Sequence, residues 1–459
     1  MAEDDDVYPV HILDGYKVLQ GCMISYLFYF HQVLDAQRLA DAMTRLLELG
    51  DWRKLRGRFR RKGNGKLEVH VPRTPRADCP AIGFHHDEFE GPIDSHPLAR
   101  HFSIQSTEGS QTFRAYPDFR PLVGWPHVPQ SVDDLIRREA PQIGLYVTSF
   151  TDATLVGVSW MHPSMDGMGM RTLLRNWSLV LNGRENEVAD LSCARRDVLE
   201  SLLPGDDEKA ESLIRGPAPC TKWWRTTLPR LWWLARAAWK GSSSQPLHVS
   251  EANVLAAWLA RTLYWTRPQP RAIQILTIID ARFRLPQLRG RSGDNIIQNV
   301  LMSTHTPLPS GAVQASLGAT ALAHRRTVAE LASEPEATQF FRHQFEHVEM
   351  TGDADFGIRN PPRIPVLYSD MAKSNLLEAV DLAAAVVGGR RDKDQDLHQQ
   401  GRPRHMVVVA LAFPPGIEVA AVGAKDQQGN RWVTGWLQPR SWDALRREVD
   451  RMAGAPDAR

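Results

Sequence analysis

Cysteine is scarce in this chain, with four in 459 residues. Cys22, Cys79, Cys193 and Cys220 are far apart and form no C-x-x-C pair, so a disulfide framework, a cysteine zinc site and a dithiol redox site all lack their residues. Ordinary reduced thiols of a cytoplasmic protein are the expectation. Charge of one sign is also missing: 55 Lys+Arg stand against 53 Asp+Glu, a net +2. With 42% hydrophobic residues, that balance excludes a disordered chain and gives no footprint for nucleic acid. No early apolar run reaches the about 20 residues that span a bilayer; the most apolar covers residues 18–30. The start, Met-Ala-Glu-Asp-Asp-Asp, is acidic where secretory and mitochondrial leaders are basic. No fixed-period repeat points to a solenoid or propeller. A Gly-x-Ser-x-Gly elbow, a phosphate loop and a dinucleotide fingerprint are absent as well, since Ser159 lacks the second glycine and Gly167-Met168-Gly169 goes no further. Serine-hydrolase, kinase and dehydrogenase chemistry therefore have no support.

The length allows two or three domains, and segments of strand and helix character alternate in an α/β or α+β pattern. Residues 23–30 read as a strand and 35–49 as an amphipathic helix, with Leu39, Ala42, Met43, Leu46 and Leu47 at helical spacing. Two short strands across Lys62-Gly63-Asn64-Gly65-Lys66 read as a hairpin. Residues 153–162 form a strand, broken by Gly167 and Gly169, and a helix runs from Met170 to the Asn182-Gly183 stop. Residues 203–245 lose strand periodicity and look like a crossover between an N-terminal domain, 1–202, and a C-terminal one, 246–459. Five of the 14 tryptophans lie there: Trp223, Trp224, Trp232, Trp233 and Trp239, interleaved with Arg and Lys. A basic, Trp-rich amphipathic helix can lie on a membrane surface, but packing onto the domains is the simpler account. Beyond it come a helix from 251 capped by Ser250, a buried strand 272–279 ending in Asp280-Ala281-Arg282, strands 406–413 and 418–422, and a helix 442–452.

His162-Pro163-Ser164-Met165-Asp166-Gly167 carries the most chemistry. A histidine closing a strand before a glycine-containing turn can project its ring into a channel, and its ordinary pKa of about 6.5 suits a general base. Such a histidine is also common as a structural residue. Asp166 can fix the turn through an ion pair or orient the ring.

The order His-x-x-x-Asp-Gly in the middle of a chain this long resembles the BAHD acyltransferases and the wider chloramphenicol-acetyltransferase-like superfamily. Further segments are similar to family motifs in the same order: Leu55-Arg56-Gly57-Arg58 with Lys66-Leu67-Glu68-Val69-His70, the helix 249–258, Ile279-Asp280-Ala281-Arg282, and Gly293-Asp294-Asn295. The resemblance covers residues 18–452 and is closest in character to fungal members that decorate secondary metabolites. It implies an α/β (α+β) fold of two chloramphenicol-acetyltransferase-like domains, with mixed sheets flanked by helices and a channel between them. It further implies a monomer in which acyl-CoA and a small hydrophobic acceptor enter that channel from opposite faces. His162 would deprotonate the acceptor hydroxyl or amine, which attacks the thioester directly, with acyl-CoA as co-substrate and no permanently bound cofactor or metal. Asp166 would pair with Arg282 and hold the loop, while Gly167 and Ser369 are candidate oxyanion or channel contacts.

The family's second signature, Asp-Phe-Gly-Trp-Gly, is eroded to residues 379–389, where only Asp381 remains as a supporting residue near the donor side. Asp355-Phe356-Gly357 comes too early to replace it. That erosion leaves open a fold that has lost acyl transfer and performs a His-dependent isomerisation or cyclisation. His343-Gln344-Phe345-Glu346-His347 matches the H-x-x-E-H of inverted zinc peptidases, without an identifiable third ligand. His85-His86-Asp87-Glu88 reads as a polar loop.

Overall fold

The computed structural model describes residues 5–74, 76–103, 119–124, 128–202, 248–266, 272–288, 295–314, 316–355, 364–372, 374–389, 399–412, 418–425 and 431–453. The crossover 203–245, with its tryptophans and Cys220, lies outside them, as do Gly293-Asp294 and Phe356-Gly357.

Two five-stranded mixed sheets dominate. The first runs in the spatial order His405–Ala412, Met23–Phe30, Thr154–Met161, Ile143–Ser149 and Gly83–Glu88, antiparallel except for the last pair. Strand Thr154–Met161 is buried along its whole length, which is why its sequence is apolar on both faces rather than alternating. Helix Ala36–Leu46 starts where the Asp35 carboxylate accepts the Arg38 N–H, and it packs Leu39, Met43 and Leu46 into the main core beside helix Gly167–Leu181. The second sheet runs Leu301–Leu308, Ile273–Asp280, Ile364–Asp370, Glu418–Lys425 and Arg431–Trp436, its middle strand parallel to both neighbours. Helices Glu251–Trp265 and Pro439–Ala453 cover one face with Leu259, Leu263 and Leu445. The first of these opens on a reciprocal cap between Ser250 and Asn253. Three fully buried tryptophans, Trp52, Trp160 and Trp177, each donate the indole N–H to a backbone carbonyl, of Ala189, Met165 and Leu39 respectively. They fill large core volumes without leaving a polar atom unpaired.

Several expectations need correction. The helix expected over 35–49 ends at Leu46, and a 3-10 segment, Gly50–Arg56, follows from Gly50 at φ +41°. Gly167 and Gly169 do not separate strand from helix: the helix begins at Gly167, because the Asp166 side chain caps it by accepting the Gly169 N–H. Residues 85–88 are not a loop. They belong to the edge strand Gly83–Glu88, parallel to Ile143–Ser149, where His85 stacks on Tyr146 and the Tyr146 hydroxyl donates to Asp87. Cross-strand pairing overrides the low strand propensity of those polar residues. Strand His405–Ala412, late in the chain, joins the first sheet, and Val386–Gly389 pairs with Gln32–Leu34, so the C-terminal half lends strands to the N-terminal one. Among the described residues no helix is long and apolar enough to cross a membrane.

Candidate active site

His162 follows strand Thr154–Met161, and its backbone N–H donates to Cys22 O at 2.9 Å, which continues the sheet ladder to the turn. The ring lies deep among protein atoms, while the residue as a whole keeps part of its surface in contact with solvent. Nδ1 is buried and has no partner in good hydrogen-bond geometry. Burial pushes the imidazole pKa below its usual 6.5; Asp166, the histidine's own carbonyl and the Asn299 side chain pull it partly back up. The balance keeps the ring neutral at pH 7, the form a general base requires.

Asp166 does not orient that ring. Its carboxylate is fully buried and forms a bidentate ion pair with Arg282, at 2.9 Å from Oδ2 and 3.0 Å from Oδ1. It also accepts the Gly169 N–H at 2.8 Å and the Val300 N–H at 3.0 Å. Arg282 donates further to Asp280 Oδ1 and to the carbonyl of Gln298. Burial works against the guanidinium charge, but Asp166 and Asp280 override it and hold the arginine above its ordinary range. One carboxylate thus ties the motif helix, the end of strand Ile273–Asp280 and the segment 296–300 into one rigid corner under His162.

The glycines after Asp166 answer to close approach. A Cβ on Gly169 would stand 2.6 Å from Ile297 O, and one on Gly167 would stand 2.9 Å from the Tyr26 hydroxyl and 3.2 Å from Met371 Sδ. Tyr26 in turn donates to that sulfur at 2.9 Å. Ser369 is partly exposed on strand Ile364–Asp370, two residues before Met371, so the end of that strand meets the start of the motif helix beside Gly167. Among the named residues, His162, Asp166, Gly167 and Arg282 are brought together, with Ser369 on the facing strand.

Asp381 is elsewhere. Its backbone is held by Ser178 and Asn182 at the far end of the motif helix, and its carboxylate pairs with Arg402 at 3.0 Å. Fifteen helical residues at about 1.5 Å each separate it from His162 by roughly 22 Å, so it supports the helix rather than the reacting centre. Asp355 is bound to Gln344 on helix Glu334–Thr351. That helix also carries His343 and His347, whose rings are 6.2 Å apart, and His347 Nδ1 lies 2.8 Å from Asp353 O. Among the described residues no group of three or more His, Cys, Asp or Glu is placed to hold a metal ion. Cys22 is buried, and its thiol is pushed up to about 12, which makes it a poor nucleophile.

Asn299 escaped the sequence reading, which placed the family's Gly-Asn echo at 293–295. Its Nδ2 donates to His162 O at 3.0 Å, whereas Asn295 caps contacts to Asn176 and Ala189. The available signal was the amide pair Gln298-Asn299 between Ile296-Ile297 and Val300-Leu301, an apolar run where polar side chains need partners.

No family model matches the chain. It is similar along nearly its whole length to the O-acetyltransferase PaAT-2 of Phomopsis amygdali, 29% identical over 98% of both chains. It is likewise similar to the acetyltransferase pyiB of Pyricularia grisea, 28% identical over 97% of this chain and 94% of that one. Among solved structures, TRI101 of F. graminearum, complexed with coenzyme A and T-2 mycotoxin, superposes with a TM-score of 0.60 at 15% identity, covering 97% of this chain and 98% of that one. Vinorine synthase superposes with a TM-score of 0.58 at 12% identity, covering 98% and 94%. The two-sheet architecture described above is the fold these structures share, as the motif resemblance implied.

Proposed function

We propose that this chain, an acyl-CoA-dependent acyltransferase of the BAHD-like kind, moves an acetyl group to a hydroxyl of a small hydrophobic secondary metabolite, with His162 as the general base. The observation that carries the assignment is the placement of His162: a neutral imidazole on a rigid corner at the end of a central strand, buried at Nδ1, in a residue that keeps part of its surface in contact with solvent. Nε2 takes the proton of the acceptor hydroxyl while the oxygen attacks the thioester carbonyl of acetyl-CoA. The tetrahedral intermediate then expels the CoA thiolate, and the proton on His162 passes to the departing sulfur, so the base is restored. Asp166 and Arg282 hold the turn, Gly167 leaves room at the helix start, and Ser369 faces that region from the opposite half as a candidate contact for the oxyanion or acceptor. The fungal relatives bear acetyltransferase names, and TRI101 was solved with coenzyme A and T-2 mycotoxin bound; both support the choice of donor and acceptor class.

His162→Ala should fold with an unchanged melting temperature and lose about 10²–10⁴-fold in kcat, measured with acetyl-CoA and the acceptor identified by mass spectrometry of the producing strain with and without the gene. Because only the neutral base works and its pKa is lowered, kcat/KM should rise with pH through a midpoint below 6.5 and stay level above it. Undiminished transfer by His162→Ala, or a midpoint above 6.5, would remove the base assignment.

A further inference from the structure

The ring of a general base needs a partner that fixes its tautomer, and in this site the carboxylate one helical turn away does not serve, since all its bonds go to Arg282 and two backbone N–H groups. A second carboxylate is linked to the histidine through Asn299. Asp14, 2% exposed, sits in the turn before the first long strand, and its Oδ1 accepts both the backbone N–H and the side-chain Nδ2 of Asn299, each at 2.8 Å. The same Nδ2 donates to His162 O at 3.0 Å. A carboxylate and a carbonyl are both acceptors, so the atom between them must be the amide nitrogen. Asn299 Oδ1 therefore points away from Asp14, and it is buried without a partner, as is Nδ1 of His162. Asn299 Oδ1 can only accept, and Nδ1 of His162 donates in one of its two neutral tautomers, so a small adjustment of ring or amide would join these two orphaned atoms, on residues already linked by one bond.

We propose that Asp14 is a positioning residue for the transfer reaction: by clamping Asn299 it aims the amide oxygen at Nδ1–H of His162 and leaves the Nε2 lone pair to the acceptor. The proposal rests on His162 being the base. Burial pushes the Asp14 carboxyl up to about 7, against the pull of Lys54 and of the Asn299 bonds, with Asp197 adding to the rise. Either protonation state leaves Oδ1 an acceptor, so the clamp holds across that range. A neutral amide raises the ring pKa less than a carboxylate in the same place would, which keeps the base unprotonated at neutral pH.

The test uses the full chain. Nitrogen-15 NMR of the His162 ring, assigned by its disappearance in His162→Ala, should report the proton on Nδ1 in the parent protein and a mixture of tautomers in Asp14→Ala. With acetyl-CoA and cyclohexanol as a surrogate acceptor, Asp14→Ala should lose about 10–100-fold in kcat with KM for acetyl-CoA unchanged, as expected for a misaimed group. Asp14→Asn, whose amide oxygen still accepts both bonds, should keep the parental tautomer and most of the rate. Asp14→Ala combined with Asn299→Ala should be no slower than Asn299→Ala alone. A proton on Nε2 in the parent overturns the proposal, and so does parental kcat in a folded Asp14→Ala or a double variant whose losses multiply. Should Asp14→Ala not fold, the parental tautomer and the activity of Asp14→Asn still decide. Retained transfer in His162→Ala would instead sink the base assignment, so the two failures are distinguishable.

Discussion

The helix Gly167–Leu181 meets a carboxylate–arginine pair at each end, and the two pairs are built on opposite principles. At its start, Asp166 has no exposed side-chain surface and Arg282 only 11%; the contact is bidentate and every other acceptor site of the carboxylate meets a backbone N–H. At its far end, Asp381 and Arg402 make a single contact and are each about a third exposed, 36% and 34%. The buried pair cannot lose a partner without stranding a charge in a low-dielectric corner, whereas the exposed pair returns to water at little cost. The same helix is thus fixed rigidly beside His162 and held lightly roughly 20 Å away. The negative charge also lies at the helix N-terminus, where the macrodipole favours it.

Removing Asp166 is the most severe way to break that contrast. Asp166→Ala should cost about 3–5 kcal/mol of stability by leaving Arg282 uncompensated, read as a large fall in the melting temperature together with lost turnover. Next comes the close packing beside it. Gly169→Ala would set a Cβ 2.6 Å from Ile297 O, forcing the helix start away from segment 296–300, and calorimetry should find about 1–3 kcal/mol of destabilisation. At the light end, Asp381→Ala should cost about 1 kcal/mol or less with kcat for acetyl transfer unchanged. An Asp381→Ala variant as unstable or inactive as Asp166→Ala would erase the distinction between the two ends.

Local signals made part of this site legible in the residues alone. The apolar run that forms strand Thr154–Met161, the helix cap at Ser250 and the hairpin across Asn64-Gly65 depend on neighbours in the chain, and each was placed within a few residues of its observed position. The Asp166–Arg282 contact was reached through a family pattern, since 116 residues of separation leave no local trace. Strands Ile143–Ser149, Leu301–Leu308 and Ile364–Asp370 went unrecognised because their identity comes from the neighbours they pair with, and the edge strand Gly83–Glu88 was mistaken for a loop for the same reason. Asp14 and Asn299 went unnoticed because a lone Asp in a turn and a lone Asn before a strand are ordinary until they are seen bonded to each other.

Composition and motif order by themselves determined a balanced, core-rich chain with mixed strands and helices, a histidine at a strand end, and an aspartate–glycine turn behind it. Only the tertiary structure decided which carboxylate serves which partner. Asp166 turns to Arg282 because burial makes full satisfaction of that charge obligatory, while the amide nitrogen of Asn299 is shared between Asp14 and the carbonyl of His162. Such assignments depend on distances of about 3 Å between residues far apart in the chain, which no one-dimensional spacing encodes.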